Sequence, residues 1–225
     1  MLNGYFLINK PAGMTSHDVV DFVRKRMGTR QVGHAGTLDP LAEGLLIVLV
    51  GEYTKKSEEF MKLPKTYSAT FRLGVQSDTH DMEGEIKTRK DFIVPTEEGI
   101  EKVLESFRGN IKQTPPQFSA IKINGKKAYN EARAGREVAL LPREINISRL
   151  EIISYKFPDL DLKIDCSSGT YIRALARDIG EALGTGAVMA RLKREAIGQY
   201  NLKDAVNLDD VDEKTLRNSD THRQP

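Results

Sequence analysis

The apolar residues near the start of the chain recur at helical spacing: Val19, Val20, Val23 and Met27. Thr15 and Asp18 precede them at capping-box spacing, and Gly28 supplies the residue type that ends helices, so an amphipathic helix is predicted between Thr15 and Gly28. After Gly44 the periodicity disappears. Leu45-Leu46-Ile47-Val48-Leu49-Val50 is apolar throughout, which predicts a strand buried on both faces, joined to the helix by a glycine-rich loop containing Gly33 and Gly36. Tyr67, Ala69, Phe71 and Leu73 alternate with polar residues as a half-buried strand does, and Ile145, Ile147, Leu160, Leu162 and Ile164 place further strands in the second half. Thr96, Glu97 and Glu98 open a helix whose apolar face is Ile100, Val103, Leu104 and Phe107. Thr170 to Leu183 forms another, bounded by Gly169 and Gly184. The order is mixed α+β, and 225 residues suit one domain with an insertion. From Gln113 to Val138 no clear periodicity is present.

Charge sharpens this picture. The net charge is only +2, but between Ile111 and Arg149 eight basic residues face three acidic ones, while Asp204 to Pro225 is acidic. Within 113–138 the basic residues are interleaved with Phe118 and Tyr129, a composition suited to gripping phosphates while stacking on bases, and equally that of a solvated surface. The single cysteine, Cys166, excludes a disulfide framework and falls on the apolar side of the Leu160–Ile164 alternation. The N-terminus lacks the pattern of a targeting segment, and Leu45–Val50 is too short to span a membrane, so a cytoplasmic protein is expected.

The segment Gly33-His34-Ala35-Gly36-Thr37-Leu38-Asp39-Pro40-Leu41-Ala42-Glu43-Gly44 is dense in residues with special backbone demands. Pro40 biases Asp39 toward an extended backbone, so its carboxylate stands on a restricted platform and is a catalytic candidate. Asp followed by Pro is also a good helix start, with Asp39 as the cap. Against that, Gly44 arrives after one turn and the next run has strand character.

Gly33–Gly44 resembles the catalytic aspartate motif of TruB-type pseudouridine synthases. The similarity continues in Asn9-Lys10-Pro11-Ala12-Gly13-Met14-Thr15-Ser16, in Lys65-Thr66-Tyr67 with Leu73-Gly74, and in Asp78-Thr79-His80-Asp81 with Gly84. It extends through Gln113-Thr114-Pro115-Pro116 with Ser119-Ala120-Ile121-Lys122 and Gly125 to Arg133, through Cys166-Ser167-Ser168-Gly169-Thr170-Tyr171-Ile172-Arg173, and in part through Leu192-Lys193-Arg194. The departures are Phe118 where the family more often has tyrosine, Ala35 where threonine or serine is common, and a loose match at Glu195–Gly198. Several ordered motifs over roughly residues 4 to 200 are more specific than any one of them.

The resemblance implies a pseudouridine-synthase-like α+β fold, with a mixed, mainly antiparallel central sheet flanked by helices and a basic thumb insertion at 113–138. The catalytic domain would span 1–217, with a disordered tail at 218–225 and no room for a C-terminal PUA domain. The implied activity is isomerisation of uridine to pseudouridine in the T-loop of tRNA, at position 55 in tRNA numbering, after base flipping and with no cofactor and no metal. Asp39 would be the catalytic carboxylate, Arg173 its ion-pair partner, and Tyr67 a stacking residue with a part in proton transfer. His34, Tyr171 and Leu192 would hold the rearranged RNA and the base, while Lys122, Lys126, Lys127 and Arg133 would meet phosphates. The partner would be the tRNA T stem-loop, bound by a monomer with no obligatory protein partner and no membrane.

Ordinary readings stand beside these. Tyr67 also suits strand packing, Tyr171 and Leu192 suit a core, and Arg173 with Arg177 suits a solvated helix face. A silent tRNA-binding module or RNA chaperone, a catalytic subunit of a guide-RNA particle, and a metal-dependent nuclease using His34, Asp39 and Glu43 are the rival functions.

Overall fold

The computed structural model describes residues 2–118, 122–123, 126–127 and 139–218, with the backbone alone at 122–123 and 126–127. In chain order the described residues form β1 (Gly4–Lys10), α1 (Ser16–Met27), β2 (Val32–His34), β3 (Glu43–Val50), α2 (Ser57–Lys62), β4 (Lys65–Leu73), β5 (Val75–Gln76), β6 (Lys87–Thr88), α3 (Glu97–Glu105), β7 (Gly109–Gln113), β8 (Lys122–Ile123), β9 (Lys126–Lys127), β10 (Arg143–Lys156), β11 (Asp159–Cys166), α4 (Ile172–Ala182), β12 (Ala187–Ile197) and β13 (Tyr200–Asn201). The chain divides into two compact units, Met1–Ser68 with Leu192–Pro225 and Ala69–Arg191.

In the first unit the strand order is β1-β3-β12-β4, with β1 antiparallel and β12 parallel to β3. The unbroken apolar run is explained by what covers it. Leu46, Val48 and Val50 join Phe6, Ile8 and the α1 valines in one core, whereas Leu45, Ile47 and Leu49 join Tyr5, Leu7, Phe60 and Ile197 in another. Helix α1 starts and stops where its sequence signals place it: Thr15 and Asp18 make a reciprocal capping box, and Gly28 adopts the left-handed conformation.

The predicted glycine-rich loop contains β2, three residues paired with β3, too short and glycine-containing to show alternation. The acidic C-terminal stretch is likewise structured up to Asn218, with short 3-10 turns and backbone pairing to β1 through Val206 and Arg217.

In the second unit the order is β4-β11-β10-β7, antiparallel between β11 and β10 and between β10 and β7. Strand β11 alternates as predicted, with Leu160, Leu162, Ile164 and Cys166 buried. Helix α3 buries Ile100 and Leu104, and Phe107 lies beyond its end. Helix α4 begins at Ile172, later than Thr170, because Gly169 at φ 82° turns the chain and the Thr170 hydroxyl donates to the Ser167 carbonyl instead. Of the predicted insertion, Gln113 ends β7, residues 114–118 have no regular structure, and β8 pairs with β9. Arg133 and residues 219–225 lie outside the described residues. The fold is α+β with a mainly antiparallel sheet, as expected.

Candidate active site

Asp39 caps no helix. Its carbonyl accepts from the Ala42 amide at 3.1 Å to close a turn, and β3 begins at Glu43. Three buried polar side chains fix this turn from different directions. The Ser16 hydroxyl donates to the Leu38 carbonyl at 3.1 Å and accepts from the Leu38 amide at 2.8 Å, pinning the residue before the aspartate. Lys10, fully buried, donates through Nζ to the carbonyls of Met14 at 2.7 Å, Pro11 at 2.8 Å and Pro40 at 3.4 Å. The Gly13 amide also donates to the Pro40 carbonyl, at 2.8 Å. Arg194, buried at 1 % exposure, spreads its guanidinium over the carbonyls of Leu45 at 2.7 Å, Gly36 at 3.1 Å and Thr37 at 3.4 Å. The Asp39 backbone is therefore held on both sides by donors that satisfy otherwise buried carbonyls.

Gly44 completes the arrangement. At φ 102° a Cβ there would stand 2.3 Å from the Arg194 carbonyl oxygen, so only glycine lets β3 approach β12 this closely. Electrostatics link the same groups: burial lowers the Lys10 pKa, and the Asp39 carboxylate is the largest opposing influence. A negative charge at Asp39 thus helps to keep a buried ammonium charged.

His34 sits on β2 with Nδ1 buried and without a hydrogen-bond partner. Burial first, then Arg194 and His17, lower its pKa. Because the folded pKa lies below the unfolded value, roughly 6.5, the unfolded state takes up the proton first as pH falls. Stability from this group is therefore present above the unfolded pKa and is lost as pH drops below it. Urea midpoints measured on both sides of that pH should show this slope, and His34→Asn should reduce it. It should not vanish, since the pKa of His80 is lowered by burial as well. An unaltered slope in His34→Asn would assign the dependence to other groups.

Tyr67, on β4, and Leu192, on β12, are both buried at 7 % exposure within the first unit. In the second unit Tyr171 is the partly exposed N-cap of α4 and Arg173 follows in its first turn. Arg173 is no solvated residue: at 7 % exposure, its Nη1 donates to the Thr79 carbonyl at 3.0 Å and lies 3.5 Å from the Asp81 carboxylate. Its Nη2 donates to the Phe118 carbonyl at 2.8 Å. Asp81, 2 % exposed, is in turn braced by the Thr79 hydroxyl at 2.5 Å and the Glu83 amide at 3.0 Å. Arg177, one turn on, donates to the Thr114 carbonyl at 2.9 Å.

The structure thus adds functional candidates to which the sequence pattern assigns no role: Lys10, Ser16, Asp81 and Arg194. A signal for Arg194 exists, since β12 alternates around it and Leu192 and Arg194 share the buried parity while Lys193 is exposed. Lys122 lies on β8, and Lys126 and Lys127 form β9, which pairs with it antiparallel.

Comparison with known proteins gives a consistent result. Residues 24–172 match the TruB family pseudouridylate synthase N-terminal domain, and residues 173–224 the tRNA pseudouridylate synthase B C-terminal domain. A Mycobacterium bovis (strain BCG / Pasteur 1173P2) protein named tRNA pseudouridine synthase B is 46% identical over 215 residues, covering 94% of this chain and 72% of the relative. One of the same name from Endomicrobium trichonymphae is 42% identical over 211 residues, covering 94% of this chain and 92% of the relative. Among solved structures, the "Crystal Structure of a Cbf5-Nop10-Gar1 Complex" matches with a TM-score of 0.70 at 30% identity over 92% of this chain. The "Structure of H/ACA RNP bound to a substrate RNA containing 2'-deoxyuridine" matches with a TM-score of 0.68 at 27% identity, also over 92% of this chain. This chain spans about half the length of those two, 53% and 51%. By its family match and the extent of its identity to curated relatives, the chain belongs to the TruB family of pseudouridylate synthases.

Proposed function

We propose that this pseudouridylate synthase isomerises the uridine at position 55 in the T-loop of tRNA, with Asp39 as its catalytic carboxylate. The observation that carries the assignment of Asp39 is its turn, which caps no helix and is held by Lys10, Arg194 and Ser16 at the start of α1. The reaction breaks the bond between uracil N1 and the ribose anomeric carbon, reorients the base and forms a bond from C5 to that carbon. The C5 proton leaves to solvent as N1 gains one. Positive charge develops at the anomeric carbon, and an ionised carboxylate answers it as nucleophile or as counter-charge.

The family resemblance assigns to Arg173, whose guanidinium lies 3.5 Å from Asp81, the role of ion-pair partner of the catalytic carboxylate. Tyr67 stacks on the flipped uracil and serves in proton transfer, Tyr171 and Leu192 contact the base, and His34 holds the rearranged loop. The thumb residues Lys122, Lys126, Lys127 and Arg133 meet phosphates. Lys126→Ala with Lys127→Ala should therefore weaken tRNA binding and flatten its salt dependence, by somewhat under one unit of log–log slope for each phosphate that is no longer neutralised. Filter binding over a salt series reads this, and a parallel offset with no change of slope would show that the pair does not meet phosphates.

The reading has a monomeric protein acting in the cytoplasm on free tRNA, without cofactor or protein partner. Among the described residues no helix is long and apolar enough to cross a membrane. The test is tritium release from an unmodified tRNA transcript labelled at uracil C5, with chelator present and no other RNA or protein. Release supports the reading. A requirement for a guide RNA and partner proteins would favour the guide-RNA particle instead, the reading to which the H/ACA RNP structure that this chain resembles lends support.

A further inference from the structure

Gln113 is the last residue of β7, 2 % exposed, and stands where the chain enters the basic insertion. Its side-chain amide makes a two-point clamp on the backbone of Tyr171: Nε2 donates to the Tyr171 carbonyl at 3.1 Å, and Oε1 accepts from the Tyr171 amide at 2.9 Å. Tyr171 is the N-cap of α4, without a side-chain capping bond of its own, and its carbonyl also accepts the helical bond from Leu175 at 3.0 Å. An amide offers a donor and an acceptor side by side in a plane without carrying charge, and so can imitate a strand partner on a single residue. The clamp fixes the backbone from which the Tyr171 ring projects, two residues before Arg173.

Two further hydrogen bonds tie α4 to the same stretch. Arg177 holds the Thr114 carbonyl and Arg173 the Phe118 carbonyl, so residues 171, 173 and 177 of the helix meet residues 113, 118 and 114 at the entrance to the insertion. The clamp is the buried, neutral and bidentate member of this set.

We propose that Gln113 is a positioning residue for catalysis: its amide sets the Tyr171 backbone, and through it the Tyr171 ring and the start of α4, in register with the root of the RNA-binding insertion. This rests on the proposed function above, in which Tyr171 contacts the base. Gln113 itself does not act on the substrate.

The test uses the full chain and C5-tritiated tRNA at saturating enzyme. Gln113→Glu keeps shape and acceptor but loses the donor and sets a carboxylate against the Tyr171 carbonyl. Gln113→Met removes both hydrogen bonds without burying a charge, and serves if the glutamate variant does not fold. The expected result is a single-turnover rate reduced about tenfold to a hundredfold, as small misplacements of reacting groups produce, with tRNA affinity and the circular dichroism spectrum unchanged. In a Tyr171→Ala background the further loss on changing Gln113 should be much smaller than in the parent, because the ring that the clamp positions is gone.

A folded Gln113 variant with the parent's rate would overturn the proposal, as would equal losses in the two backgrounds or an effect confined to affinity. No release by the parent itself would instead remove the functional reading on which the proposal rests.

Discussion

Asp39→Asn is expected to lower tritium release by at least about four orders of magnitude, the scale on which removal of a catalytic nucleophile or its charge is felt, while leaving tRNA binding near that of the parent. The expectation depends on what the substitution spares. The bond from the Ala42 amide goes to the backbone carbonyl of residue 39, and the braces from Ser16, Lys10 and Arg194 reach the backbone of residues 36, 37, 38, 40 and 45. None of these bonds uses the Asp39 side chain, so the turn should survive the change. What disappears is the negative charge proposed to answer the anomeric cation, which also opposes the burial-driven fall of the Lys10 pKa. Circular dichroism and filter binding establish that the variant is folded and competent to bind. An Asn variant within tenfold of the parent rate would move the catalytic carboxylate elsewhere.

The second large effect concerns stability. Arg194→Met should cost about 3 kcal/mol or more, because it retains most of the aliphatic stem but leaves three carbonyls of the Asp39 loop and β3 without their donor, each carrying a desolvation penalty. The neighbouring residue provides the control. Lys193 pairs with Glu43 at 3.5 Å, with both side chains about half exposed, so Lys193→Met should change stability by less than about 1 kcal/mol. In a chain of this size the first variant should melt roughly 6–12 °C lower, using the usual conversion for domains of this length, and the second close to the parent. Equal melting temperatures for the two would show that Arg194 does not hold the loop.

Much of this architecture is written locally. Thr15, Asp18 and Gly28 encode α1 in one stretch of chain, and Leu45–Val50 encodes a strand covered on both sides. The Asp39 loop stands out because its glycines and proline make backbone demands that no side-chain period disguises. The braces are harder to find, because their meaning lies in partners far along the chain. Lys10 reaches Pro40, Ser16 reaches Leu38 and Arg194 reaches Gly36, and each alone reads as a common surface residue. Asp81 looks like an ordinary turn aspartate until the fold puts Arg173 beside it. The pairing of Val206 and Arg217 with β1 is invisible for a different reason: isolated bridges and 3-10 turns impose no period.

That last pairing bears on the order in which the protein can be made. The Tyr5 amide donates to the Arg217 carbonyl at 2.8 Å and the Asn9 amide to the Val206 carbonyl at 2.9 Å. Asn9 and Asn207 also meet through their side chains, 198 residues apart in sequence. On the ribosome β1 emerges well before these partners. The packing within 69–191 and the pairing of β1 with β3 can form while translation continues, but the other edge of β1 waits for chain that has yet to be synthesised. The strand that ends in Lys10, one of the braces of the Asp39 turn, is therefore completed only after the chain that follows β13 has been made.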